Sequence, residues 1–316
     1  MELSFAPMEG VTNGPYRAVH AAFFPGADLY YAPFLAPDSE GRVKASALQE
    51  LSAAEPRPVP QLLVNRAEPF LLAARQLFDL GFAEINLNAG CPSGTVVAKH
   101  KGAGMLADLD SLARCLDEIF ARCPARVSIK TRLGLEDASA FPALLALYRR
   151  YPLARLIVHV RDRKGLYRSR PDLAAFAEAL EGSPFPVVYN GDIFSPADAE
   201  KLRARFPAAQ GLMLGRGAVC NPALFRRIRG GEALRREELR AFHDALVEAA
   251  LESGLAPHYA AARMKELWYY MRCLFPGSER ALKAVFKAKS LPDYEAAVSA
   301  LFSGAAFDPD AVFTQP

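Results

Sequence analysis

Short apolar runs alternate with helical stretches over the first 230 or so residues of the chain. The runs are Leu3–Ala6, Leu29–Ala32, Pro60–Val64, Glu84–Leu87, Val127–Lys130, Leu156–Val160, Pro186–Tyr189 and Gly211–Leu214. Several are apolar almost throughout, as expected of parallel strands covered on both faces. Helical spacing fills the later intervals, at Phe70–Leu80, Leu109–Phe120 and Leu173–Leu180. Eight strands alternating with helices predict an α/β chain folded as a (β/α)8 TIM barrel rather than an open doubly wound sheet. The early crossover Asp38–Pro58 is rich in Pro, Ser, Ala and charge, and reads mostly as loop.

The pattern changes after Gly230-Gly231. Amphipathic stretches follow at Arg236–Glu252, Tyr259–Leu274, Ser278–Ala288 and Asp293–Leu301, with no convincing strand. Residues 1–232 are therefore expected to form the barrel and residues 233–316 a C-terminal helical domain. Segment 263–289 carries seven basic residues against two acidic ones, with Trp268, Tyr269 and Tyr270 interleaved. Such a mixture suits phosphate contacts and base stacking. Taken alone, it reads more readily as a solvated helix whose aromatics face the barrel.

Composition narrows the class. Hydrophobic residues make up 51% and charged residues 23% of the 316, an ordinary globular balance. No apolar run approaches the ~18 residues that cross a bilayer, and the start Met1–Pro7 lacks a basic segment followed by a long apolar one, so neither a membrane span nor a signal peptide is expected. Five scattered cysteines (Cys91, Cys115, Cys123, Cys220, Cys273) fit a reducing cytoplasm better than a disulfide framework or a metal site. A net charge of +3 identifies no partner by itself.

A TIM barrel builds its active site at the C-terminal ends of its strands. There the sequence places Pro7-Met8-Glu9-Gly10, Gln61, Asn86-Leu87-Asn88-Ala89-Gly90-Cys91-Pro92, Lys130-Thr131-Arg132, His159-Val160-Arg161, Asn190-Gly191-Asp192 and Gly215-Arg216-Gly217. Each has a bland reading: Asn-Gly-Asp is a common turn, and a lone Lys or His is often structural. Their convergence on one mouth is what points to function. Loops after the last two strands often hold a phosphate, so Gly191, Gly215 and Gly217, with Arg216, predict a phosphate-bearing cofactor. Lys130 and His159 supply positive or donor groups and Gln61 an amide, which are roles a flavin ring needs. Cys91, between Gly90 and Pro92, is expected exposed at the mouth. A free thiol has a pKa of about 8.5 and is mostly protonated at neutral pH, which suits a general acid. As a nucleophile it would need an activating base, and none is adjacent in sequence.

Taken in order, Ala6-Pro7-Met8-Glu9-Gly10-Val11-Thr12, Asn88-Ala89-Gly90-Cys91-Pro92-Ser93, Lys130-Thr131-Arg132-Leu133-Gly134, His159-Val160-Arg161, Asn190-Gly191-Asp192-Ile193 and Gly215-Arg216-Gly217-Ala218 closely resemble the tRNA-dihydrouridine synthases, from the first strand through the C-terminal helices. The tail around Ala262-Arg263-Met264-Lys265 is most similar to the bacterial C-type members. The resemblance implies an oxidoreductase acting on a CH–CH bond, with FMN as cofactor, NADPH as electron source and tRNA as substrate. It implies Pro7, Met8, Glu9, Gln61, Lys130, His159, Asn190, Gly191, Asp192, Gly215 and Arg216 along the flavin, and Asn88 and Arg132 on the uracil. It also implies Cys91 as donor of a proton to C5 while hydride reaches C6. A base flipped from its stack and gripped through the basic tail completes the picture, in a cytoplasmic monomer with no obligate protein partner.

Two positions depart from the family pattern. Gly94 stands where many relatives carry Lys, with Lys99 and Lys101 nearby, and Asp162 follows Arg161 where Thr is usual. Both bear on the RNA contact rather than the core chemistry. The rival readings are reduction of ribosomal RNA, a flavin barrel acting on a free pyrimidine in the manner of dihydroorotate dehydrogenase, and a non-catalytic RNA-binding relative. The free-pyrimidine enzyme has no need of a basic, aromatic tail. The RNA-binding module has none for a flavin cation and a thiol.

Overall fold

The computed structural model describes residues 1–53, 55–166 and 169–314. Its centre is an eight-stranded parallel sheet: β1 (Glu2–Phe5), β2 (Leu29–Tyr30), β3 (Gln61–Leu62), β4 (Glu84–Ala89), β5 (Arg126–Arg132), β6 (Leu156–His159), β7 (Val187–Asn190) and β8 (Gly211–Leu214). All eight predicted strands form. Their order is β2-β1-β8-β7-β6-β5-β4-β3. Parallel bridges pairing Tyr31 with Val59 and Leu35 with Leu62 join the two ends, and so close the ring as the predicted TIM barrel.

The pleat sorts each strand into an inner and an outer row. In β4 the outer row is Ile85, Leu87 and Ala89, which joins the large apolar layer beneath the helices. The inner row is Glu84, Asn86 and Asn88. In β6, β7 and β8 the outer residues Leu156, Val158, Val187, Tyr189, Leu212 and Leu214 belong to the same layer, while Ile157, Val188 and Met213 pack inside the barrel with Ala6 and Tyr31. At the floor Arg155 pairs with Glu2 at 2.7 Å and with Glu84 at 3.1 Å. The last inward position of several strands therefore opens on the mouth: Asn88, Lys130 and Arg132, His159 and Asn190.

The surrounding helices arise from 3.6-residue periodicity plus local caps. Leu109–Arg122 buries Leu112, Cys115, Leu116 and Ile119 on one face, and Asp108 caps it by accepting the Ser111 N–H at 2.9 Å. Each such buried leucine or isoleucine contributes about 1.5–3 kcal/mol of hydrophobic free energy. Residues 38–58 depart from expectation, because a helix forms at Ala45–Ala53 where mostly loop is predicted. Tertiary contacts hold it: Glu50 accepts the Gly14 N–H at 2.6 Å, and Leu51 is buried.

Beyond β8 the tail folds into helices Arg236–Glu252, Pro257–Met271, Glu279–Lys287 and Leu291–Gly304. Phe242 of the first packs on Phe24 with ring centroids 5.1 Å apart, and the apolar layer runs on from the barrel into the tail. Trp268 is fully buried and donates through Nε1 to the Tyr294 hydroxyl at 2.7 Å. A base-stacking role for Trp268 is thus excluded, because its face is covered by the chain's own core. Arg280, Lys283 and Lys287 lie exposed along the helix Glu279–Lys287.

Candidate active site

A cavity of about 280 Å³ opens at the C-terminal ends of the strands. Pro7, Met8, Glu9, Gln61, Asn88, Cys91, Lys130, Arg132, His159, Asn190, Gly191, Asp192, Gly215 and Arg216 all line it, whereas Arg161, Thr131 and Gly10, also placed at the strand ends by the sequence, do not. Pro33, Phe34, Phe194 and Tyr270 line it too, and nothing in the sequence pattern assigns them to it outright. Three of the four were within reach, since Pro33-Phe34 directly follows the run Leu29–Ala32 and Phe194 follows Asn190–Ile193.

The turn bearing Cys91 is built from below. Asn88 Oδ1 accepts the backbone N–H groups of Gly90 at 3.0 Å and Cys91 at 2.9 Å. Its Nδ2 donates to Gln61 Oε1 at 2.7 Å, Gln61 Nε2 to Asn86 Oδ1 at 2.7 Å, and Asn86 Nδ2 to Ser128 Oγ at 2.9 Å. Three carboxamides thus link the barrel interior to the thiol turn. From the side, Arg132 donates through Nε to the Gly90 carbonyl at 2.9 Å and through Nη1 to the Asp162 carbonyl at 3.0 Å. Beneath, Gly102 sits so close that a Cβ there would lie 2.9 Å from Cys91 Cβ, at a φ of +58°. Cys91 itself remains partly exposed to the cavity.

Lys130, Arg132 and Arg216 line the cavity together with Glu9 and Asp192. Burial first, then the Arg132 guanidinium, pulls the Lys130 ammonium down to about 7, and no carboxylate is among the groups that act on it. Burial, reinforced by Arg132, Lys130, Arg161 and Arg216, holds His159 well below its ordinary value. His159 is therefore neutral, with one nitrogen donating and one accepting. On the turn after the neighbouring strand, Asp192 is shared: Arg161 donates to both carboxylate oxygens, and Arg216 Nη2 reaches Oδ1 at 2.7 Å. The Arg161 side chain is 1% exposed, so it is a buried strut, whereas Arg216 borders the cavity. The turn that carries Arg216 packs tightly: a Cβ on Gly217 would lie 2.0 Å from the Ile193 carbonyl oxygen, so only glycine fits.

Such a site can hold a flat, anionic, multiply hydrogen-bonding ligand. Lys130 offers a cation at depth, Arg216 another beside the β7 and β8 turns, and His159 a neutral donor between them. A flavin matches this donor set in charge and in hydrogen bonding. Among the described residues no group of His, Cys, Asp and Glu is arranged to hold a metal ion.

Comparison with known proteins agrees. The chain is 33% identical over 222 residues, or 69% of its length and 67% of the relative's, to a probable tRNA-dihydrouridine synthase of Rhodobacter capsulatus. It is 29% identical over 280 residues, 84% of this chain and 82% of the relative, to tRNA-dihydrouridine synthase B of Pseudomonas putida. The second carries the B designation, whereas the tail around Ala262–Lys265 suggests a C-type relative. Among solved structures, a morphinone reductase superposes with a TM-score of 0.55 at 14% identity, over 74% of this chain and 88% of that one, a likeness of fold alone. The profile of the family described as Dihydrouridine synthase (Dus) matches residues 4–301, and a match of that span places the chain in the dihydrouridine synthase family.

Proposed function

We propose that the protein is a tRNA-dihydrouridine synthase that binds FMN at the barrel mouth, draws electrons from NADPH and reduces the C5–C6 bond of uridines in tRNA. The observation that carries the reading is the placement of Cys91 on a braced turn facing a cavity that Lys130, Arg132 and Arg216 also line. A flavin held there would supply the hydride that goes to C6 of the uracil. Cys91 delivers the proton to C5 from its thiol, a role closed to a carboxylate ionised at neutral pH. Lys130 would hold its charge beside an anionic ring, since a neighbouring negative charge raises the pKa of an ammonium. His159 donates one ring hydrogen bond without adding charge. Arg216 and the Gly191 and Gly215 turns receive the phosphate, with Asp192 and Arg161 holding Arg216 in place. Pro7, Met8, Glu9, Gln61 and Asn190 border the remaining edges of the ring, and Asn88 and Arg132 face the uracil.

In this reading residues 1–232 are the catalytic domain and residues 233–316 the RNA-contacting one. The exposed Arg280, Lys283 and Lys287 supply phosphate contacts. Among the described residues no helix is long and apolar enough to cross a membrane, and the reading completes itself as a cytoplasmic monomer.

The test is dihydrouridine content by nucleoside mass spectrometry after incubating dihydrouridine-free tRNA with NADPH, FMN and either the wild-type chain or Cys91→Ala. Product from the wild type and almost none from the variant establishes reaction and acid together. A chain that binds flavin but leaves tRNA unreduced sinks the tRNA assignment, and ribosomal RNA is then assayed in the same way.

A further inference from the structure

Cys220 and Cys273 are 53 residues apart in sequence, yet their sulfurs lie 2.8 Å from each other. A disulfide bond is about 2.05 Å long, so an approach of roughly 0.8 Å separates the two thiols from a covalent link. Their positions tie the pair to the cavity. Cys220 ends the short helix that begins at Arg216, and Cys273 follows Tyr270 by one helical turn, with Arg216 and Tyr270 both lining the mouth. Cys273 Sγ also reaches the Tyr270 carbonyl at 3.3 Å.

We propose that Cys220 and Cys273 form a reversible disulfide under oxidation by a peroxide, stapling the tail to the barrel beside the cavity. The two thiols divide the chemistry unequally. Cys273 is partly exposed and Cys220 buried. The contact between them favours the thiolate on Cys273 and, with burial, pushes the Cys220 thiol up. Cys273 therefore meets the peroxide first. Its thiolate attacks one peroxide oxygen, the O–O bond breaks, and a sulfenic acid and one water result. Cys220 then attacks the Cys273 sulfur and expels the hydroxyl as a second water, leaving the S–S bond. The peroxide gains two electrons and the two thiols lose two. A dithiol reductant reverses the link by exchange. Cytoplasmic disulfides of this kind are characteristically transient and redox-sensing.

The test treats the full-length chain with hydrogen peroxide, blocks remaining thiols with iodoacetamide, and digests without reduction for mass spectrometry. The expected product is a linked peptide pair containing Cys220 and Cys273, two hydrogens lighter than the separate peptides and absent after dithiothreitol. Closing so long a loop raises Tm by roughly 5–10 °C in the wild type, with no rise in Cys273→Ser. Full alkylation of both cysteines, oxidation of Cys273 to sulfinic acid without a linked peptide, or an equal Tm rise in Cys273→Ser each overturns the proposal.

Discussion

Asn88 Oδ1 stands 2.9 Å from the Cys91 backbone nitrogen and 3.0 Å from that of Gly90, so one carboxamide oxygen fixes the turn that presents the thiol. A residue expected to touch the uracil is thereby also the residue that sets where Cys91 points.

Asn88→Ala should therefore act on both folding and chemistry. Removing a buried acceptor for two N–H groups costs about 2–4 kcal/mol, and a turn displaced by even about 1 Å lowers turnover by roughly 100-fold. Thermal melting and single-turnover dihydrouridine formation measure the two effects. An unchanged Tm would show that the turn holds without its cap.

Lys130 gives a pH signature. Its folded pKa, near 7, lies below the ordinary lysine value of 10.5. Between these two the unfolded chain binds more protons, so stability rises with pH across that window, and the penalty of the buried charge is complete below about pH 7. In cofactor-free protein, Lys130→Met should be more stable than wild type at pH 6, by about 2–4 kcal/mol. The advantage should shrink toward pH 10. Denaturant melts at both pH values check it, and a pH-independent difference contradicts it.

The two arginines on Asp192 should separate. Arg161→Ala removes a buried strut and leaves Asp192 with Arg216 alone, at a cost of about 1.5–3 kcal/mol in stability. Arg216→Ala should leave Tm nearly unchanged and weaken FMN binding about 10–100-fold, the value of one or two charge-assisted hydrogen bonds. Fluorescence titration of flavin, alongside melting curves, distinguishes these outcomes.

Gly217→Ala should prevent proper folding of the Arg216 turn, because its Cβ would fall 2.0 Å from the Ile193 carbonyl oxygen. The expected loss exceeds about 3 kcal/mol, as for other overpacked buried sites. A soluble variant with wild-type Tm would show that the Ile193 backbone yields.

Reversing the tail charges, as in Lys283→Glu with Lys287→Glu, should weaken tRNA binding and flatten its dependence on salt, by about one unit of slope for every phosphate left without its cation. Filter binding across a salt series reads this directly. Equal slopes for the variant and the wild type would move the RNA-binding face elsewhere.

The strands were legible because a strand buried on both faces leaves a short apolar run that few other arrangements produce. The mouth was legible because the barrel turns polar where its strands end. Ala45–Ala53 was not, since its helix depends on Glu50 reaching Gly14, a pairing no local periodicity encodes. Trp268 was ambiguous for a related reason: an aromatic beside cations looks alike in sequence whether it faces RNA or the core. Tyr270 joins the cavity from more than 50 residues beyond β8, and the Cys220–Cys273 approach spans 53. Neither leaves a trace in local spacing.

Donors and acceptors alternate without interruption from the Cys91 amide through Asn88, Gln61 and Asn86 to Ser128. Neither Asn88 nor Gln61 can rotate alone, because turning either sets donor against donor on one side and acceptor against acceptor on the other. The backbone N–H groups of Gly90 and Cys91 only donate, so a pyrimidine edge that requires Asn88 the other way round meets a column that cannot reverse. Selectivity at the mouth is thus written partly in two main-chain amides of the thiol turn, whereas Ser128, a hydroxyl that both donates and accepts, accommodates either direction.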